Sequence, residues 1–477
     1  MIGQGEEVRM SARTISRRSM LRLGGISAFA AALAACAAPA PTATPPPAAK
    51  PAAVAAQPAP KAAEKPAGVA TVTLEFTSWG TDNGAWQKLV DTYKEKAPNV
   101  TVKLTPVPGG DTYYQQLQTS IAGGAKPDIA SYQGWEWQPY AERNVLAEID
   151  GYMTTDRFTG AWPDFETVKT HTIWKGKRYH VPMQMGVMVM LYAKKPFQDK
   201  GIKLPTDDWN FDQFLDTATK LADPAKKQFA LQANGVWARD IHWIRSSGKQ
   251  EFDQIVEPKK AQFNQPEIVD VLQIMASDVY HKQKISPTPA DLQGGANTIE
   301  SGNTAMKYEG PWFLPTLNDP KLREQNKAVP FDAVMMPIYK DPKRPHRGWS
   351  EGVNLLKGDK QDAAWQFGKF MAGEDGQKIY SELSGRIPNN PELAEKFWLP
   401  TVKTRYGVEN GAAFLKAFAN AVPDVIGEVS RTKIWTEAVK PLGWDPLIAG
   451  SATAKDVMPK VDQKLQSILD DHWKNKK

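Results

Sequence analysis

Tryptophan stands close to a carboxylate at several points along this chain. Trp79 is followed by Asp82, Trp135 by Glu136 and Trp349 by Glu351, while Tyr308 and Glu309 precede Trp312. Trp237 and Trp243 flank Arg239 and Asp240, and Arg386 follows Ser384 and Gly385. A flat ring gives a large contact area at little rotamer entropy. A carboxylate accepts from vicinal hydroxyls, and hydrogen bonds to charged groups are worth roughly 1.5–3 kcal/mol. Rings beside acids therefore suit a ligand with apolar C–H faces and hydroxyl rims. The same residues have plain structural uses, as core tryptophans and, for Asp82, as a helix N-cap. Asp82, Glu136, Glu309 and Glu351 could also supply the paired carboxylates, about 5–9.5 Å apart, of a glycoside-cleaving enzyme.

The elements that must hold these residues can be read from periodicity. Val72 to Phe76 alternates as a strand, and Trp86, Leu89, Val90 and Tyr93 mark a helix face after it. Val100, Val102 and Leu104 alternate again. Tyr113 to Ile121 reads as a helix stopped by Gly123 and Gly124, and Pro127 to Tyr132 as a third strand. This β-α-β-α-β order predicts a largely parallel sheet. In such sheets ligands bind in the loops beyond the carboxyl ends of the strands, which puts Trp79, Asp82, Trp135 and Glu136 in the right place. Trp137 falls on the opposite side and is assigned to the core, as are Trp209 and Trp365. An apolar strand at Val187–Tyr192 opens a second region, and Asn210 with Gln213 reads as a capping box before the Phe211–Leu221 helix face. Further helices are marked by Ile268–Val279, Ala364–Met371 and Val461–Leu469.

The first seventy residues read as an address and a tether. Ser16 to Arg22 carries the paired Arg17-Arg18 of a twin-arginine signal, with an ordinary secretory n-region as the alternative. The apolar run from Gly24 to Ala35 has signal-peptide length and is too short to span a bilayer. It ends at Leu33-Ala34-Ala35-Cys36, where a bacterial lipoprotein is cleaved and lipidated, and Cys36 is the only cysteine. The Ala- and Pro-rich stretch 37–70 cannot bury enough apolar surface to fold, and extended it reaches roughly 100 Å at about 3.1 Å per residue. The expectation is a signal peptide over 1–35, a lipidated tether over 36–70, and an extracytoplasmic protein moored to the cell membrane.

Composition excludes several classes. Removal of 1–35 takes away five Arg and two Glu, so the formal charge falls from +6 to +3. That is too weak for a nucleic-acid footprint, and no basic stripe interleaved with aromatics accompanies it. With Cys36 acylated, neither disulfides nor cysteine catalysis are available. Six histidines without HExxH or paired spacing offer no metal motif, so neither metal nor cofactor is expected. Roughly 400 residues from Val72 onward exceed what one core usually serves, which predicts two lobes.

In order and spacing the chain resembles the extracellular solute-binding proteins that serve ABC importers, in the carbohydrate-binding branch typified by the maltose-binding type. The resemblance rests on Leu74–Trp79, the turn Ala122–Ile129, and Lys177–Pro182 followed by Leu191–Lys195. It also rests on Asp208–Phe214, on Ile299–Met306 with Glu309-Gly310-Pro311-Trp312, and on Ala363–Phe367. Ala193 departs from the family's usual Asn and Asn210 from its Thr or Asp, and 390–450 matches no motif. The resemblance implies an α/β, two-lobe periplasmic-binding-protein-like fold with a ligand cleft between the lobes. By analogy 72–184 and 299–347 form the first lobe, and 185–298 and 348–477 the second. It implies a monomer that takes up a carbohydrate by lobe closure and passes it to the membrane permease subunits of an ABC transporter. Its ligand contacts would be Trp79, Asp82, Trp135, Glu136, Trp237, Trp243, Tyr308, Glu309, Trp312, Trp349, Glu351 and Arg386. A non-sugar solute such as a glycerol phosphodiester is the alternative; it would want an arginine cluster in the cleft or a glycine-rich helix N-terminus.

Overall fold

The computed structural model describes residues 71–160, 162 and 165–476. The expected signal peptide, Cys36 and the tether lie outside them. Gly68–Lys477 forms one compact unit, built on two sheets as a two-lobe α/β fold.

The first sheet follows the predicted parallel start. Val72–Trp79 lies between Val100–Val107 and Ile129–Gln133 and is parallel to both. The helix Asn83–Lys96 buries Trp86, Leu89, Val90 and Tyr93, the face marked by periodicity. Beyond Ile129–Gln133 the sheet continues with antiparallel strands His346–Leu355, His180–Val187 and Ile387–Pro388, and Ala421–Pro423 runs parallel to the start of His346–Leu355. The second sheet has the order Phe331–Val334, Val189–Ala193, Thr304–Glu309, Phe229–Leu231.

The apolar run at Val187–Tyr192 is therefore two strands rather than one. His180–Val187 ends in the first sheet and Val189–Ala193 begins in the second, with Met188 at the crossing. The chain remains in the second sheet through Val334 and returns at His346, whose Nδ1 approaches the Met188 carbonyl at 3.3 Å. This corrects the expected grouping of segments. Thr304–Glu309 and Phe331–Val334, placed by analogy with the first lobe, hydrogen-bond to Val189–Ala193 instead. His346–Leu355, Ile387–Pro388 and Ala421–Pro423, placed with the second lobe, belong to the sheet of Val72–Trp79. Backbone ladders decide membership, and motif order could not show which ladder each strand joins.

Three apolar cores follow. One lies under the first sheet and contains Leu74, Phe76, Trp86, Trp137, Val353 and Phe367. A second surrounds the other sheet and includes Trp243, Tyr308 and the C-terminal helix residues Val461 and Leu465. That helix, Ala454–Asn475, opens on a Thr453/Asp456 capping box. The predicted Asn210/Gln213 capping box is also present, with reciprocal bonds of 2.9 and 2.8 Å. A third core joins Met185 and Val187 of one sheet to Val189 and Leu191 of the other, and is filled by Trp398, Val402, Phe414 and Phe418. Those last residues come from 390–450, the stretch without a motif. Among the described residues no helix is long and apolar enough to cross a membrane.

Candidate functional site

A cleft of about 750 Å³ opens between the lobes. Its walls include Trp79, Asp82, Trp135, Glu136, Trp237, Trp312, Glu351 and Arg386. The first two pairs sit where the parallel sheet predicts, just past the carboxyl ends of Val72–Trp79 and Ile129–Gln133.

Arg386 organises one side. Its Nε donates to Asp82 Oδ2 at 2.8 Å and its Nη1 to Glu351 Oε2 at 2.8 Å. Asp82 Oδ2 also accepts from Trp79 Nε1 at 2.9 Å and from the Tyr380 hydroxyl at 2.7 Å. Glu351 accepts in addition from Gln133 Nε2, Gln184 Nε2 and Trp349 Nε1, at 3.1, 2.6 and 2.8 Å. Burial opposes the charge of Arg386, but Asp82 and Glu351 outweigh it and raise its pKa. Backbone geometry aims this arginine. Gly385 closes the Glu374–Ser384 helix at φ +75° and lies against the Pro311 carbonyl, so a side chain there would be strained and crowded.

Trp312 lies between two guanidinium groups, those of Arg386 and Arg239, each 5.4 Å from its ring. The ring also covers Gly310 so closely that a Cβ would lie 1.9 Å from it, which explains the glycine in that loop.

The other side is built on Asp424. Arg347 Nε donates to Asp424 Oδ2 at 2.7 Å, and Arg431 Nη1 donates to the same oxygen. Burial works against the carboxylate charge, but Arg347 and Arg431 overcome it and hold the group down at about 2. Burial likewise pulls Arg347 down to about 9, which leaves it cationic at neutral pH. Arg347 lies 4.4 Å from the Trp135 ring and 4.2 Å from Trp349, and Arg431 lies 4.7 Å from Trp135 and 4.8 Å from Trp237. Rings and guanidinium groups thus alternate along the cleft, each fixing the next.

Four expected contacts are corrected. Trp243 is fully buried in the second core, stacked on Phe214 and edge-on to Tyr308. Tyr308 is buried too and donates to Asp240 at 2.6 Å. Glu309 stays behind the cleft, paired with Arg239 at 3.2 Å. Trp349 is 1 % exposed and contributes its N–H to Glu351 rather than a ring face to the cleft. Each lies within four residues of a cleft residue in the sequence, but packing against neighbouring rings and acids, which spacing does not encode, covers it. Trp237 reaches the wall only at its edge, being 1 % exposed.

Several cleft residues escaped the sequence reading. Arg347 carried a usable signal, since Arg347, Trp349 and Glu351 fall on one face of a strand by period two. Arg431, Thr432 and Trp435, all on the wall, and Asp424 come from the stretch without a motif. Tyr114 is on the wall too and donates to Gln133 Oε1 at 3.2 Å.

Residues 77–378 match the family model of the bacterial extracellular solute-binding proteins. A putative binding protein of Brucella abortus is 23 % identical over 71 % of this chain and 78 % of its own. Among solved structures, an ABC substrate-binding protein of Listeria monocytogenes in complex with cycloalternan superposes with TM-score 0.74 at 21 % identity. That match spans 84 % of this chain and 99 % of the other. A maltose-bound protein of T. maritima superposes with TM-score 0.70 at 16 % identity, over 83 % of this chain and all of the other.

Proposed function

This chain belongs to the bacterial extracellular solute-binding proteins, and on that premise we propose that it captures a sugar or oligosaccharide between its lobes and presents it, chemically unchanged, to the membrane subunits of an ABC importer. The observation that carries this reading is the pairing of partly exposed tryptophans from opposite walls. Trp312 packs against the core of the first sheet and Trp435 against that of the second, and both line the cleft. Rings seated on the two cores can both contact a flat pyranose only when the lobes are shut. Such a ligand shifts an open-to-closed equilibrium by its differential affinity for the closed form.

The acids play a different part from the one their types suggested. Asp82 and Glu351 are occupied by indole, amide, phenol and guanidinium donors. They hold Arg386 and Trp79 in place, and ligand hydroxyls meet the amides and guanidinium groups so positioned. A glycosidase needs a carboxyl group turned to the glycosidic oxygen, and both of these are turned to Arg386. The arginine cluster bears on the alternative of an anionic solute. Arg386, Arg347, Arg431 and Arg239 each already have a carboxylate partner, which favours a neutral ligand over a phosphodiester.

The exported chain would be anchored through an acylated Cys36, with 37–70 as the leash. Labelled palmitate should enter the wild type and not Cys36→Ala. Calorimetry with mono- and oligosaccharides, together with small-angle scattering, tests the main reading. A saccharide should bind and compact the particle, and Trp312→Ala should weaken it at least tenfold. Compaction by glycerol phosphodiesters alone, or turnover of the sugar, would overturn the proposal.

A further inference from the structure

The cleft does not end at its tryptophans. A second cavity of about 550 Å³ adjoins it and shares Tyr114, Glu136 and Thr432 with it. One wall of this outer chamber comes from the helices Asp111–Ala122 and Gln138–Glu142, through Gln115, Gln118 and Tyr140. The opposite wall comes from the C-terminal helix, through Ser467 and Asn475.

At the junction the Thr432 hydroxyl donates to Glu136 Oε1 at 3.1 Å. Glu136 follows the Ile129–Gln133 strand of the first sheet, and Thr432 lies in the Arg431–Ile434 helix, which packs with the second core. The bond therefore crosses from lobe to lobe at the boundary between the chambers. The chambers differ in chemistry. The tryptophans line the inner one, whereas the outer one has no tryptophan on its wall and presents exposed Gln115, Gln118, Ser467 and Asn475 among charged groups of both signs, such as Arg143, Lys433, Glu437 and Asp471. An inner chamber of this size is enough for one small ligand. An outer one lined by amides, hydroxyls and charged groups of both signs can hydrogen-bond further polyhydroxylated units without stacking them.

We propose that the Thr432–Glu136 contact divides the interlobe cleft into two chambers and governs how long a saccharide is accepted, the outer chamber holding the units beyond the inner one. This rests on the saccharide reading above. A chain that passes the divider competes with Thr432 for Glu136, while a short ligand leaves the contact intact.

The test is calorimetry of the full-length protein against linear α-1,4-glucan and β-1,4-mannan series from two to six units, comparing wild type, Gln115→Ala/Gln118→Ala and Thr432→Val. In the series that binds, wild-type affinity should rise with length beyond the disaccharide. The double variant should leave disaccharide affinity within twofold and lower that of longer members about tenfold. Thr432→Val should shift the preference toward long members at least threefold; a purely structural role would scale every length alike. Affinity independent of length, or equal loss at all lengths in both variants, would overturn the divider while leaving the saccharide reading standing. If neither series binds but another saccharide does, the same length comparison is made with that sugar's oligomers. Binding of no saccharide at all would overturn both.

Discussion

Removal of Arg386 should destabilise the protein far more than removal of any exposed arginine, because two acids depend on it. Arg386 is 8 % exposed, with Asp82 at 9 % and Glu351 at 2 %. Its Nε and Nη1 serve one carboxylate each at 2.8 Å. In Arg386→Gln both acids lose their cation while remaining inside the protein. Breaking a buried pair from one side costs about 3–5 kcal/mol, since an uncompensated charge is left behind. The unit Gly68–Lys477 unfolds with roughly 2 cal/mol/K of entropy per residue, so each kcal/mol moves its midpoint by a little over ~1 °C. The expected loss in Tm is therefore about 4–6 °C. Arg386→Lys should fall in between, since an ammonium keeps the charge but cannot fork to two carboxylates in fixed geometry. Adding Asp82→Asn and Glu351→Gln to Arg386→Gln should recover most of the loss, because neutral amides need no cation. Differential scanning fluorimetry of the four proteins at pH 7 checks this. A Tm for Arg386→Gln within 1 °C of wild type, or no recovery in the triple variant, would refute the compensation argument.

Acid should destabilise the fold through its buried histidines. Burial holds His171, His180 and His346 down at about 3, 4 and 3, and lowers His242 well below the ordinary imidazole value. They stay neutral in the native state while the unfolded chain takes up protons below about pH 6.5, so each costs ~1.4 kcal/mol per pH unit on going down from there; the urea midpoint should fall steeply between pH 6.5 and 5. Asp240 acts in the opposite sense. Burial raises it to about 7 against the hydrogen bonds from Tyr308 and Trp444, so the stability it contributes is present below about pH 4 and lost as pH rises through 7. Asp240→Asn should therefore gain on wild type at pH 8 relative to pH 5 in the same titration. Glu428 joins the lobes by ion pairs to Lys175 at 3.0 Å and Lys476 at 2.5 Å, which in turn reach Glu142 at 2.5 Å and Glu257 at 2.7 Å. These groups are partly exposed and screened, each pair being worth about 0–1 kcal/mol. Glu428→Gln should accordingly weaken ligand binding about threefold in dilute buffer, and the difference should vanish at 1 M NaCl in calorimetry.

Much of the fold could be read from the chain because its elements satisfy local rules independently of the rest. The helix face of Trp86, Leu89, Val90 and Tyr93 is apolar at helical spacing and is buried as such. Asn210 caps its helix through residues three apart. Strand partnership is not local. Nothing in Thr304–Glu309 says whether it pairs with Val189–Ala193 or with the first sheet, and the expected lobes were exchanged for that reason. The site divides in the same way. Trp79 and Trp135 were legible because a parallel βα sheet dictates where strand-end loops gather. Asp424 and Arg431 were not, since they matter only through a meeting with Arg347, 77 residues before Asp424, that no spacing rule encodes.

The distribution of these charges bears on how closure is driven. Asp82, Glu351 and Arg386 all hang on the first sheet or on the helices packed against it, and Arg239 and Glu309 both belong to the second lobe. Those pairs remain intact however far apart the lobes stand, so opening strands few buried charges. Arg431 to Asp424 and Arg245 to the Val422 and Pro423 carbonyls join the lobes at the crossing segment 421–424; away from that segment the polar links that cross are chiefly Thr432 to Glu136 and Lys175 to Glu428. A hydrogen bond to a carboxylate is worth roughly 1.5–3 kcal/mol and a screened ion pair about 0–1 kcal/mol. Moving a two-state protein from about 1 % to 99 % closed takes ~5.5 kcal/mol of differential affinity, beyond what these links supply. The remainder must come from a ligand that touches both walls at once, as Trp312 and Trp435 are placed to be touched. A cleft that neutralises its charges within each lobe or at the crossing segment 421–424 leaves the decision to close with the ligand.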